Sequence, residues 1–353
     1  MKTFKHSFFL IFLMGIHLNL FALQRETKAL HKEIEVEPNV LVEIENQFGD
    51  MKVTSWDQNK VVIDVEITVT GSNQSKVLDK LNDIEVFFDF DPDHVIARTQ
   101  IEEHWTSKWF NTSKLRFQID YTVKLPQTSS VDLQNDYGTL ALNTLEGKAN
   151  ISCDYGKLRI GELLAEDNRL TFDFSSNSTI AFIKGGTIEA DYSSFELEEA
   201  EQLVLEADYT NAEITNVDNL HFESEFGKLT LNKVNSLKGE GDYLTLRVGT
   251  VAQSLNLEHE FGSTRIDHLL PTVNTLRIET EYTGVQLGID PSWSFDYAIE
   301  LEFASLKANV PLVHQKAEEN SFEKNYSGYF GQANSGNTVR IESEFGSVKF
   351  NYH

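Results

Sequence analysis

With one cysteine in 353 residues, Cys153, the chain can form no intrachain disulfide, thiolate zinc cluster or CxxC redox pair. Six prolines and 20 glycines exclude collagen-like and low-complexity architectures. Basic residues are scarce: 30 Lys and Arg stand against 55 Asp and Glu, a formal charge of −25. So acidic a balance argues against a nucleic-acid partner, because phosphate contacts need clustered Lys and Arg, and against docking on anionic lipid. Enzyme signatures are missing as well. There is no HExxH, GxSxG, Walker A or GxGxxG, and GEGDYL at Gly239 lacks the third glycine of the last. The ten histidines are scattered, with no metal-site spacing. What is present is a hydrophobic fraction of 40%, enough to bury a core, in a length that fits about two domains.

The N-terminus reads as a leader. Lys2 and Lys5 precede an apolar run from Phe8 to Leu13 that continues to Phe21, and the small Ala22 marks a cleavage point. His17 and Asn19 interrupt it, and it falls short of the ~20 apolar residues of a membrane span. Removing residues 1–22 as a signal peptide takes away both lysines and changes −25 to −27. No later segment reads as a transmembrane span. Export without disulfides fits a bacterial periplasm or cell surface.

The rest of the chain is built from one short repeat. Its units include NQFGDMKV from Asn46, CDYGKLRI from Cys153, ADYTNAEI from Ala207, SEFGKLTL from Ser224 and SEFGSVKF from Ser343. Each carries an aromatic anchor: Phe48, Tyr137, Tyr155, Phe174, Tyr192, Tyr209, Phe226, Tyr243, Phe261, Tyr282, Phe303 and Phe345. From Tyr137 to Phe261 the anchors are 17 to 19 residues apart; then come steps of 21, 21 and 42. Apolar and polar residues alternate before the anchor, as in Ile278-Glu279-Thr280-Glu281-Tyr282, and the parity shifts just after it. Alternation at period two is strand, and a parity shift at Gly, Ser or Thr is a bend or bulge. A period of ~18 is too short for propeller blades or helix pairs. The pattern predicts an all-β fold, a parallel β-helix of two-strand rungs that bury their inward faces by stacking. Strand parity places the aromatic anchors inward, and Cys153 inward as a small buried hydrophobe.

Two zones depart from the repeat. Longer strands are expected over Lys60–Thr70, Ile84–Phe90, His94–Glu103 and Leu115–Pro126, with a short helix over Ser75–Leu81. Together with the first rung they make 23–126 a β-rich antiparallel cap on the solenoid, which occupies 127–353. Residues 311–336 are polar and rich in Gly, Asn and Ser, and read as an inserted loop. The stretch from Ile119 to Ile160, IDYTVKLPQTSSVDLQNDYGTLALNTLEGKANISCDYGKLRI, resembles the bacterial putative-adhesin family of β-strand repeat proteins. Phe48 to Ile67 resembles that family's opening, although many later units replace its Gly by Ser, Thr, Leu or Ala. The resemblance implies an envelope β-helix protein of unassigned activity, and no catalytic residue is carried over.

Chemistry is expected on the outward rows. Eleven of the twelve anchors follow an acid, and Asp191, Asp208, Glu225, Asp242, Glu260 and Glu281 form the candidate acidic binding face. A second row holds Glu45, Glu189, Glu206, Glu223, Glu258, Glu279, Glu300 and Glu342. Hard cations take carboxylate oxygens, so this face suits weak Ca²⁺ or amines; alternatively it is a solvated face neutralised by Lys228, Arg247, Arg265, Lys307 and Lys349. The cluster His104-Trp105 and Trp109-Phe110 reads either as a sugar platform or as packing on the cap. No catalytic residue, cofactor or metal site is assigned. The reading is a non-enzymatic exported adhesin or envelope scaffold whose partner is a cell-surface glycan or an envelope protein. The alternative is a polysaccharide-lyase-like β-helix enzyme, which should break the uniformity of the rungs.

Overall fold

The computed structural model describes residues 23–102 and 115–353. The expected leader and the cluster His104-Trp105, Trp109-Phe110 lie outside the described residues. Among the described residues are twenty-six strands and one helix, Gln74–Asn82. The chain is all-β and solenoid-like, a long and mostly parallel sheet. From Ala149 to Ile289, parallel partners lie 17 to 21 residues apart. The strand Ser178–Asp191 shows how two ladders join. Its first half pairs with Lys157–Leu163 and its second half with Asn168–Thr171. The next strand, Ser194–Asp208, pairs with both halves.

Alternation decides what is buried. One inward row runs Ile180, Leu197, Ile214, Leu231, Val248, Ile266 and Leu287, each in register with the next. A second runs Ile188, Leu205, Phe222, Gly239, Leu257, Ile278 and Ile341. Gly239 belongs in that row because a Cβ there would lie 2.0 Å from the Phe222 ring. No unit buries such a face alone, so the core exists only through stacking.

At the N-terminal end the pairing turns antiparallel. Gln24–Glu35 pairs with Lys60–Gly71, and that strand with Arg116–Pro126. Ile84–Phe90 pairs with His94–Ile101. The helix, capped by Asn73 Oδ1 accepting from the Lys76 amide at 3.1 Å, buries Val77 and Leu81.

Two expectations are corrected. First, the aromatic anchors face outward. All twelve have positive φ, from 45° to 64°. A left-handed residue reverses the alternation for one step, so Leu205 and Ala207 are buried while Tyr209 is 49% exposed. Second, 311–336 is not simply a loop. Val313–Glu319 and Glu323–Phe330 form an antiparallel hairpin added to Phe295–Glu302. Its polarity is that of an edge strand: all seven residues of Val313–Glu319 are exposed, Lys316, Glu318 and Glu319 among them. In addition, chain order is not spatial order at this end. Thr338–Glu344 lies between Thr275–Glu281 and Phe295–Glu302, and Ser347–Tyr352 between Gly284–Ile289 and Ser305–Ala308.

Candidate functional face

The left-handed anchors make the first feature of the outer surface. Their rings stack in one column from Phe48 through Tyr137, Tyr155 and onward to Tyr282, then Phe345 and Phe303. Centroids are 4.6–5.2 Å apart and adjacent rings lie within 10° of parallel. At the inter-strand spacing of ~4.8 Å the column is about 50 Å long. A left-handed non-glycine residue costs ~1 kcal/mol or more, and each stacked pair returns a similar amount. The ring faces are occupied by one another, so solvent meets ring edges and the Tyr hydroxyls. Such a column gives a sugar no face to stack on.

The residue after each anchor closes the corner, and it is buried wherever it is not glycine, as at Ser175, Ser193, Thr210 and Thr283. The Ser193 hydroxyl donates to the Asp191 carbonyl at 2.8 Å and accepts from the Ser175 amide at 3.0 Å. Thr210 repeats this one unit later, accepting from the Ser193 amide at 3.1 Å. Where the position is glycine, the backbones approach directly: a Cβ on Gly138 would lie 1.8 Å from the Gly49 carbonyl oxygen. This explains why Gly, Ser and Thr exchange at the corner.

The acids expected to line up do so. Asp191 is in register with Asp208, Glu225 with Asp242, Asp242 with Glu260, and Glu260 with Glu281. Glu225 and Glu260 are exposed, and Asp191, Asp208, Asp242 and Glu281 are half-buried. The neighbouring row runs Glu189, Glu206, Glu223, Glu240, Glu258 and Glu279. Glu240 belongs to it by the same alternation, although the sequence reading passed over it.

The two halves of the first row differ in what their oxygens do. Asp154, Asp173, Asp191 and Asp208 each accept, through Oδ1, the backbone amide of the next acid, at 2.9 to 3.3 Å. These short acids are part of the corner. From Glu225 to Glu281 the carboxylates have no such partner. Burial, helped by neighbouring acids such as Asp154, raises the Asp136 carboxyl above the usual range, and burial raises that of Asp173. Among the described residues, no group of three His, Cys, Asp or Glu is arranged to hold a metal ion.

The expected neutralisers sit elsewhere. Arg247, Arg265, Lys349 and Lys307 belong to the strands after the corner, across the aromatic column from the acids. Arg265 pairs with Asp267 at 2.6 Å. Three members of the inner glutamate row are instead paired from the row beyond it. Arg169 pairs with Glu189, Arg277 with Glu279, and Arg340 with Glu342 at 2.9 Å. Among the described residues no ion pair reaches Asp191, Asp208, Glu225, Asp242, Glu260 or Glu281.

Cys153 is fully buried beneath this corner, and burial pushes its thiol up to about 11. It is the inert core residue expected, not a nucleophile.

A trough of ≈ 990 Å³, which the sequence reading did not find, runs beside the glutamate row. It crosses the strands from Lys148 to Arg277. One bank carries Gln202, Asn219, Ser236, Ser254 and Thr275, the other Val204, His221, Lys238 and Asn256, with a leucine strip between them. Its only sequence signal is the column of residues seven and five places before each anchor.

No family model matches the chain, and no curated protein matches it. Three solved bacterial structures are similar along nearly its whole length. A putative cell adhesion protein from Clostridium sporogenes is 10% identical, covers 93% of this chain and 100% of its own, and has a TM-score of 0.20. For a putative adhesin from Bacteroides fragilis the values are 9%, 92%, 97% and 0.25. For a putative lipid binding protein from Parabacteroides distasonis they are 8%, 92%, 96% and 0.25. These identities and scores are too low to carry any activity across.

Proposed function

We propose that this is an exported, non-enzymatic bacterial envelope protein of the adhesin kind, a parallel β-helix of two-strand rungs that binds partners along its outer face. The observation that supports this most is the uniformity of the outward rows. An acid, an aromatic and a tight corner recur at rung after rung, so the face is repetitive along about 50 Å at ~4.8 Å per rung. A repetitive face suits a repetitive or extended partner in the envelope better than a single small substrate. The acid row from Glu225 to Glu281 acts in this reading as a diffuse cation- or amine-attracting strip. No helix of the described residues is long and apolar enough to cross a membrane.

A polysaccharide-lyase-like enzyme would need a titratable pair with pKa values pushed apart in the trough. The shifted acid there, Asp167, is held low by its hydrogen bond with Lys148, as in an ordinary surface ion pair.

The test has two arms. The full chain, expressed in a Gram-negative host, should lose its leader and fractionate outside the cytoplasm; retention of residues 1–22 in the cytosol would end the export reading. The mature protein should then bind isolated envelope material, and failure to sediment with it would end the binding reading.

A further inference from the structure

We infer that the trough from Lys148 to Arg277 is a binding site for an uncharged, extended glycan lying along the solenoid axis. This deepens the envelope-binding reading and rests on it. Some outward polar side chains are tied to one another between repeats, as Asn235 is to Asp218 at 2.6 Å and, on one bank of the trough, Ser236 is to Gln253 at 3.1 Å. The other bank residues have no such tie. The side chains of Gln202, Asn219, Ser254, Thr275 and Lys238 make no hydrogen bond within the protein, and His221 Nδ1 and Asn256 Oδ1 are without a partner. Amides, hydroxyls and one free ammonium along two facing rows offer donors and acceptors in the mixture that sugar hydroxyls need.

The charge pattern selects against ionic polymers. Lys148, Arg169 and Arg277 are already paired with Asp167, Glu189 and Glu279. The adjoining glutamate row repels polyanions, and the free Lys238 in the trough opposes a polycation. Val204 on one bank is 37% exposed, an apolar surface that suits the C–H faces of sugar rings. Spacing matches too. Binding groups repeat at the strand separation of ~4.8 Å, close to the length of one pyranose in an extended chain. The trough spans about 30 Å on that spacing, room for roughly six sugars.

The experiment uses the mature protein in calorimetric titration with hexasaccharides of β-1,4-glucose, β-1,3-glucose, α-1,4-glucose and β-1,4-N-acetylglucosamine, the matching disaccharides, an alginate hexamer and a long-chain fatty acid. At least one neutral hexasaccharide should bind, at least tenfold tighter than its disaccharide and than alginate. Val204→Arg, a change at an exposed position that crowds the trough, should abolish this while leaving the melting temperature unchanged, and Asn219→Ala with Lys238→Ala should weaken it tenfold or more. If none of the four binds, if binding survives Val204→Arg, or if alginate or the fatty acid is preferred, the inference is overturned. Envelope sedimentation of the Val204→Arg variant separates the two readings. Loss of glycan binding with sedimentation retained leaves the general reading standing on another surface, whereas wild-type protein that binds neither loses both.

Discussion

At the residue scale the left-handed anchor is the decisive feature. Tyr209 stacks on Tyr192 at 4.7 Å and on Phe226 at 4.9 Å, with its edge in solvent. Tyr209→Asn loses two stacked contacts but places a residue tolerant of left-handed φ, so thermal unfolding should show a retained fold destabilised by ~1–3 kcal/mol. Leu205→Asp, two strand steps inward of it, buries a charge and should cost several kcal/mol and disorder adjacent repeats. The reverse ranking would restore inward-facing anchors. His259 gives a pH prediction. It is buried, its Nδ1 lies 2.7 Å from Thr264 Oγ1, and its Nε2 has no partner. Burial lowers its pKa, against smaller opposing effects from the Leu244 backbone and Asp242. The folded protein therefore holds it neutral while the unfolded chain protonates near pH 6.5. Its contribution is fully present above that pH and lost as pH falls below it. Melting temperatures between pH 7 and 5 should fall less steeply in His259→Gln than in the wild type.

At the element scale, the order of strands near the C-terminus carries a prediction. Because 338–352 supplies the rung between 275–289 and 296–308, a chain ending at residue 337 loses a middle layer rather than an end. Limited proteolysis of that truncated protein should cut throughout 290–336. Protection of that segment would mean that 338–352 is only a terminal addition. The acid strip behaves as an element as well. Like charges one strand apart, at ~4.8 Å, repel by roughly 1 kcal/mol in water and are relieved by screening. With no group of three ligands to hold an ion, Ca²⁺ and NaCl of matched ionic strength should raise the melting temperature nearly equally. A clear excess with Ca²⁺ that disappears in Glu225→Gln, Asp242→Asn and Glu260→Gln would instead establish a specific cation site.

At the scale of the whole molecule, the repeat made the class of fold legible. Period-two alternation and anchors 17 to 19 residues apart determined stacked strands, a buried Cys153 and aligned acids. The helix over Ser75–Leu81 and the antiparallel N-terminal layer were readable from composition and length. Three things were not. The direction of the anchors depends on a backbone φ that costs energy locally and is sustained by stacking on rings in neighbouring repeats, so no single unit encodes it. The intercalated last rung depends on which of two similar edges the chain end meets, and Glu344 and Glu302 follow the same local rules. The trough depends on side chains 17 or more residues apart becoming neighbours. Local alternation fixes what each residue can do within its own strand; only the stacking of strands decides which rows face each other across a surface, because that register is set by contacts between repeats and not within them.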